Sequence, residues 1–143
     1  MIVPLGRALT AAERPILAAH GLTMWGYVVL LSLTDEPVRT QSALAEAIGA
    51  DKTRIIGDLD ALQERGLVTR TPDPDDRRVR LIGLTAEGRQ VRKKAQRAIQ
   101  RGEDELLAVL APEERRVFLE ALQRLTGLPP HAFAAYPETQ PET

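Results

Sequence analysis

The segment between residues 40 and 85 constrains the fold of this chain more than any other. It contains two short helical stretches separated by Gly49-Ala50, which supplies a tight turn, and Asp51 is a typical N-cap for the second of them. Two short apolar stretches follow, and they enclose a turn-forming run of prolines and aspartates. The pattern predicts helices at 41–48 and 52–65 and a β-hairpin with strands at 67–71 and 80–84.

Helices are also predicted before this segment. Residues 4–20 have a helical pattern, in which Pro15 is expected to cause a break or kink because proline lacks a backbone donor. Gly21 is expected to cap this helix in the left-handed conformation. Thr23 is a typical N-cap for a second, almost entirely apolar helix at 24–34.

After the hairpin, the sequence predicts a long helix from Thr85 to about Leu110 and a last helix that begins at Pro112. The apolar stripes of these helices could complete a core within the chain. We favour a dimer interface, because the compact domain formed by the short helices and the hairpin leaves these stripes little else to bury against. The proline-rich tail, 129–143, is expected to be extended or disordered.

Composition narrows the classes of function. With no cysteine and two histidines, the chain offers no disulfide and little material for a metal site, and we expect no cofactor. No apolar run approaches the roughly 20 residues that span a bilayer, and the N-terminus lacks the pattern of a signal peptide. These features indicate a cytoplasmic protein without a membrane partner. An enzyme is the least expected class, because no phosphate-binding glycine loop or His–carboxylate cluster is present.

The net charge of −1 hides an uneven distribution. Residues 52–101 contain thirteen Lys and Arg against seven Asp and Glu, a net of +6. This segment could present a positive face to phosphate, or its charges could form ordinary solvated helix faces. Small residues such as Gly57 and Ala61 would let the helix at 52–65 approach a major groove about 12 Å wide. Arginines at the hairpin tip could reach the minor groove.

Four runs in this order and spacing resemble the multiple-antibiotic-resistance regulator (MarR) family. They are Thr40-Gln41-Ser42-Ala43-Leu44-Ala45, Leu62-Gln63-Glu64-Arg65-Gly66-Leu67-Val68, Asp76-Arg77-Arg78 and Leu84-Thr85-Ala86-Glu87-Gly88. The step from His20 to Thr23 is also similar, and the resemblance covers about residues 16–90. It implies a mainly α fold with a small β-hairpin wing: a winged helix-turn-helix with N- and C-terminal dimerisation helices.

The resemblance also implies a function. Members of the MarR family work as homodimers on pseudo-palindromic operators. They are usually repressors that a small aromatic or lipophilic effector releases from the DNA. By position, residues 52–58 would enter the major groove of double-stranded DNA, Arg78 would enter the minor groove, and Asp76 would orient that arginine or brace the wing. The expected DNA contacts are Thr40, Gln41, Lys52, Thr53, Arg54, Gly57, Asp58, Arg77, Arg78 and Arg80. Near the family's effector site lie His20, Trp25 and Tyr27, for which a packing role is the simpler interpretation.

The sequence departs from the family pattern in the recognition helix. Ile56-Gly57 stands where a Thr-Arg pair is common, and Arg54 stands where Ser or Thr is common. The arginine has in effect moved one turn earlier, which bears on base preference.

We divide the chain into an N-terminal arm (1–22), a winged helix-turn-helix (23–88), dimerisation helices (89–128) and a tail (129–143). Several alternatives remain open. The charges of the recognition helix could be merely solvated, and Arg77 or Arg80 could pair with Asp73 or Asp75. The protein could also be an activator, a regulator without an effector, or a winged-helix adaptor that binds another protein. The wing arginines argue against the adaptor, whereas Asp58 is a mild point in its favour.

Overall fold

The computed structural model describes residues 2–34, 39–51 and 53–129. The predicted mainly α fold with a hairpin wing is confirmed. The helices, α1 to α6, are Ile2–Ala19, Met24–Ser32, Gln41–Ala47, Ile56–Glu64, Ala86–Leu107 and Pro112–Thr126. The strands, β1 to β3, are Arg39–Thr40, Val68–Pro72 and Arg80–Leu84. The predictions for Lys52 and for residues 130–143 lie outside the described residues.

The helix-end signals at Thr23, Thr40 and Gly21 act as the sequence predicts. The Thr23 hydroxyl accepts a hydrogen bond from the Gly26 amide at 2.9 Å and so caps α2. The Thr40 hydroxyl caps α3 in the same way, because it accepts a hydrogen bond from the Ala43 amide at 3.1 Å. Gly21 adopts a φ of 67°, in the left-handed region that costs glycine little, and ends α1.

The expected break at Pro15 is wrong. Helix α1 continues through this residue from Ile2 to Ala19. Proline removes one donor, and the carbonyl that loses its partner belongs to Ala11, four residues earlier. Both Ala11 and Pro15 are exposed, so this carbonyl can be hydrated instead. The cost of the proline is therefore smaller here than in a buried helix.

The recognition helix begins later than expected, at Ile56 rather than at residue 52. Asp51 Oδ1 accepts hydrogen bonds from the Thr53 amide at 2.7 Å and from the Thr53 hydroxyl at 2.5 Å. The Arg54 amide donates to the Asp51 carbonyl at 3.0 Å. Asp51 thus caps a separate turn, because its side chain offers residues 53–55 an alternative to helical hydrogen bonds.

The wing is an antiparallel sheet in the order β1-β3-β2. Strands β2 and β3 form the predicted hairpin, with Arg70 opposite Ile82. Strand β1 was not predicted, because two residues show no alternation pattern. It pairs Thr40 with Leu81. Since Thr40 also caps α3, this pairing fixes the start of α3 against the wing.

By its internal packing the chain divides into two compact units, Met1–Glu103 and Asp104–Thr143. The core of the first unit is apolar and takes side chains from every helix of that unit and from the sheet. Its buried members include Leu17, Leu30, Leu44, Leu59, Ile82, Ala95 and Ile99. Part of α1 and the first half of α5 therefore support the winged domain directly.

The junction between β3 and α5 explains the Leu-Thr-x-x-Gly run. The Thr85 hydroxyl lies 2.7 Å from the Gly66 carbonyl oxygen and 3.0 Å from that of Leu67, and it accepts the Gly88 amide at 2.9 Å. A Cβ at Gly88 would lie 2.0 Å from the Leu67 carbonyl oxygen. Only glycine allows α5 to approach the start of β2 this closely.

In the second unit, Glu114 closes the N-terminus of α6 by accepting the Ala111 amide at 2.8 Å. Arg116 bridges Glu113 and Glu120 along the helix surface. Helix α6 has no buried residue within the described part of the chain. Its large apolar side chains are at least one-third exposed; they are Val117, Phe118, Leu122 and Leu125.

Candidate nucleic-acid interface

The exposed face of α4 and the preceding turn hold three of the predicted DNA contacts. Thr53, Arg54 and Gly57 are exposed, whereas Ile55 and Leu59 are fully buried on the opposite face. A Cβ at Gly57 would meet no atom within 4 Å, so this face is open to a ligand. Arg54 forms no salt bridge with any described residue. Its charge interacts electrostatically with the exposed Asp51 carboxylate and remains accessible to an external partner.

Asp58 differs from the other candidates. Its Oδ1 accepts a hydrogen bond from the Thr23 hydroxyl at 2.5 Å, and its side chain is half-buried. It therefore faces the first turn of α2. The geometry favours a bracing role between α2 and α4 over contact with DNA.

The wing tip is ordered by its aspartates. Asp76 Oδ1 accepts the Arg78 amide at 3.0 Å, and the Asp76 carbonyl accepts the Val79 amide at 2.9 Å. The Arg78 side chain is 96% exposed, with its Nε 4.0 Å from Asp76 Oδ1. Asp73 Oδ1 similarly accepts the Asp75 amide at 2.8 Å. The carboxylates thus shape the backbone and leave the Arg78 guanidinium extended.

Two further arginines near the wing tip, Arg77 and Arg80, are not neutralised by these aspartates. Within the described residues, neither Arg77 nor Arg80 forms a salt bridge, although the sequence allowed pairing with Asp73 or Asp75. Both side chains are exposed. The wing tip therefore presents three guanidinium groups that have no strong partner in the part of the chain that the structure describes.

A groove of about 310 Å³ lies between the start of α3 and the wing. It is lined by Thr40, Gln41, Ser42, Arg78, Val79 and Arg80. Four predicted contacts are thus brought together from two separate parts of the sequence. Ser42 was missed, although its position in the first turn of α3 beside Gln41 was a usable signal. Hydroxyl, amide and guanidinium groups of this kind are those that contact DNA phosphates.

The three effector candidates have different surroundings. His20 Nδ1 donates to the Ile16 carbonyl at 2.9 Å. Tyr27 is 7% exposed, and burial, with the carboxylates of Glu13 and Glu103, raises the pKa of its hydroxyl. Both side chains fit a packing role.

Trp25, by contrast, lines an open cleft of about 460 Å³ in the first unit. The other lining residues are Arg14, Leu22, Thr23, Met24 and Asp58. Arg14 was missed by the sequence analysis, because only the fold brings α1 beside the start of α2. The cleft combines a guanidinium group, an aromatic ring and two apolar side chains, which suits a small aromatic ligand with an acidic group.

The described residues also bear on metal binding and on membrane insertion. The described residues contain no group of three or more His, Asp or Glu side chains arranged to hold a metal ion. Among the same residues, no single helix is long and apolar enough to cross a membrane; α1 and α2 reach that length only as a pair bent by 81°.

The sequence of this chain is similar to the sequences of known proteins. A sequence model of the MarR family matches residues 22–79, from the start of α2 to the wing. Transcriptional regulator HosA of Escherichia coli O111:H- is 34% identical over 104 residues, which cover 73% of this chain and 77% of HosA. The chain belongs to the MarR family. It is a DNA-binding regulator of transcription, as the sequence predicted, and its relatives are regulators rather than enzymes.

Solved structures of the MarR family agree with this assignment. CouR from Rhodococcus jostii RHA1, bound to p-coumaroyl-CoA, is 30% identical with a TM-score of 0.70, and the alignment covers 90% of each chain. A structure of the transcriptional repressor CouR on a 23-mer DNA duplex gives 30% identity and a TM-score of 0.75, over 87% of this chain and 89% of that one. This MarR-family chain therefore shares its fold with a protein seen on duplex DNA.

Proposed function

We propose that this MarR-family chain is a homodimeric repressor of a pseudo-palindromic operator, released by a small aromatic effector. The observation that carries the DNA-binding part is the groove in which Thr40, Gln41, Arg78 and Arg80 converge. The exposed face of α4 supports it as a second surface open to DNA. In this arrangement α4 enters the major groove, the start of α3 contacts phosphates, and Arg78 reaches the adjacent minor groove. Such a regulator acts in the cytoplasm, where its DNA lies.

The proposed dimer is supported by the apolar surface of the terminal helices. Four large apolar side chains of α6 are exposed, and so are Ile2, Val3 and Leu5 at the start of α1. Exposed apolar surface on each of these helices favours association, because burial releases about 25 cal/mol for each Å² removed from water. A second copy of the chain is the proposed partner. Two recognition helices would then meet half-sites about one turn of DNA apart.

The proposed release by an effector is supported by the Trp25 cleft. Arg14 supplies a positive charge for an acidic group, and Trp25, Leu22 and Met24 supply the apolar walls. The 30% identical CouR is bound to p-coumaroyl-CoA, an aromatic acyl thioester. A ligand here can change DNA affinity only if it binds the DNA-competent and the released conformations with different strength.

The proposal is tested with the DNA upstream of the protein's own gene. Sedimentation of the protein with that duplex should give two chains per site, and protection from nuclease should be twofold-symmetric. Run-off transcription from the same DNA should fall when the protein is added. A single chain per duplex, or an increase in transcript, would contradict the homodimeric repressor. Binding to no duplex at all would favour the adaptor.

A further inference from the structure

The hydroxyl of Thr23 joins two functional helices. It donates to Asp58 Oδ1 at 2.5 Å and accepts the Gly26 amide at 2.9 Å, so it links the first turn of α2 to the first turn of α4. Gly26 is buried, and a Cβ there would lie 3.1 Å from Thr23 Oγ1 and 4.0 Å from Asp58 Oδ1. The absence of a side chain at Gly26 therefore makes room for this pair.

The same two residues form part of the wall of the Trp25 cleft. Of the described residues that line the cleft, Asp58 is the one with a negative charge and Arg14 the one with a positive charge. Asp58 also lies in the first turn of the recognition helix, which follows the turn that contains Arg54. The charge of the cleft is thus set in part by a residue of the DNA-binding helix.

We propose that the Thr23–Asp58 hydrogen bond transmits occupancy of the cleft to the recognition helix, and does so only for negatively charged ligands. This inference rests on the proposed function. A carboxylate that approaches Arg14 competes with Asp58 for the Thr23 hydroxyl and repels the Asp58 carboxylate. The bound ligand and the intact hydrogen bond therefore disfavour each other.

The consequence for DNA follows from linkage. If α4 is held in its DNA-binding position while the hydrogen bond is intact, a ligand that breaks the bond lowers DNA affinity, and DNA lowers ligand affinity by the same factor. A neutral ligand of the same shape lacks the repulsion. It binds both conformations with equal strength and therefore leaves their populations unchanged.

The test uses the full chain with benzoate and its neutral analogue benzamide. Trp25 is the one tryptophan of the chain, so its fluorescence reports occupancy of the cleft. DNA affinity is measured by anisotropy with and without ligand, and the ratio of the two dissociation constants is compared between variants. Asp58→Ala removes the acceptor and the charge, whereas Asp58→Asn keeps an acceptor and removes the charge. Ser32→Ala is the matched control, because it removes a hydroxyl at the other end of α2.

In the wild type, benzoate should weaken DNA binding by a factor on the order of 5–150, as is typical of coupled sites. Benzamide should leave DNA binding unchanged. The benzoate ratio should fall close to one in Asp58→Ala, take an intermediate value in Asp58→Asn and stay at the wild-type value in Ser32→Ala.

Three results would overturn the inference while leaving the proposed DNA binding intact. They are an Asp58→Ala variant that binds benzoate and keeps the wild-type ratio, a response to benzamide equal to that to benzoate, and Trp25 fluorescence that benzoate does not change. A wild-type protein that binds no duplex would overturn the proposed function itself.

Discussion

Replacing Gly88 by alanine should destabilise the protein although alanine is the better helix former. The new Cβ would lie 2.0 Å from the Leu67 carbonyl oxygen and 2.8 Å from Leu84 Cδ1, whereas real Cβ atoms essentially never approach closer than 3.0 Å. Helix α5 or strand β2 must therefore move by about 1 Å. The Leu67 carbonyl cannot move freely, because it accepts the Thr85 amide at 3.1 Å.

The expected magnitude follows from three effects. Overpacking against a fixed neighbour costs about 1–3 kcal/mol, and a weakened hydrogen bond at Leu67 costs about 1 kcal/mol more. The higher helix propensity of alanine raises the free energy of unfolding by about 1 kcal/mol. The free energy of unfolding should thus fall by about 2 kcal/mol, a large part of the 5–15 kcal/mol typical of a domain.

Urea unfolding followed by circular dichroism measures this change. The matched control is Gly57→Ala, also within a helix, where a Cβ meets no atom within 4 Å. The control should gain about 0.5–1 kcal/mol, because glycine costs that much in a helix interior. If Gly88→Ala were as stable as the wild type or gained stability like the control, the close approach of α5 to β2 would be wrong.

Three further predictions concern the site and its surroundings. Gly57→Ala, although more stable, should bind operator DNA more weakly, since its methyl group stands on the open face of α4; equal affinity in anisotropy titrations would place this face away from DNA. Asp76→Ala should weaken DNA binding several-fold with little change in unfolding, because Arg78 loses the carboxylate that fixes its backbone; an unchanged affinity would refute the bracing role. Burial and the Glu103 carboxylate raise the pKa of Glu13, so stability is lost as pH rises through that raised pKa. Glu13→Gln should therefore be more stable than the wild type at neutral pH, and the difference should vanish below a pH of about 4; urea unfolding at both pH values checks this, and a difference independent of pH would contradict it.

Features set by neighbouring residues were predictable from the sequence. The caps at Thr23 and Thr40, the turn at Gly21 and the hairpin depend on short-range chemistry, and all of them are found in the structure. The later start of α4 was missed, because the Asp51–Thr53 hydrogen bonds compete with the helix at the same position.

Features set by tertiary packing were not predictable in the same way. The continuity of α1 through Pro15 depends on exposure, and the strand at Thr40 exists only because β3 lies beside it. Of the three effector candidates, Trp25 lines a cleft. Its charged neighbour Arg14 lies on another helix, and no local sequence pattern indicates that it lines the same cleft. The bond that ties Asp58 to Thr23 spans 35 positions and is invisible to any local pattern.

The proposed binding of duplex DNA by α4 and the wing depends on their exposed arginines. The most direct measurement is the anisotropy of labelled DNA from upstream of the protein's own gene, titrated with wild type and with Arg78→Ala across a salt series. If a dimer neutralises about six to ten phosphates, the wild-type affinity should fall about 10³–10⁵-fold between 50 and 200 mM salt. Arg78→Ala should bind more weakly, with a shallower salt dependence. Binding that is independent of salt, or that Arg78→Ala leaves unchanged, would contradict the claim.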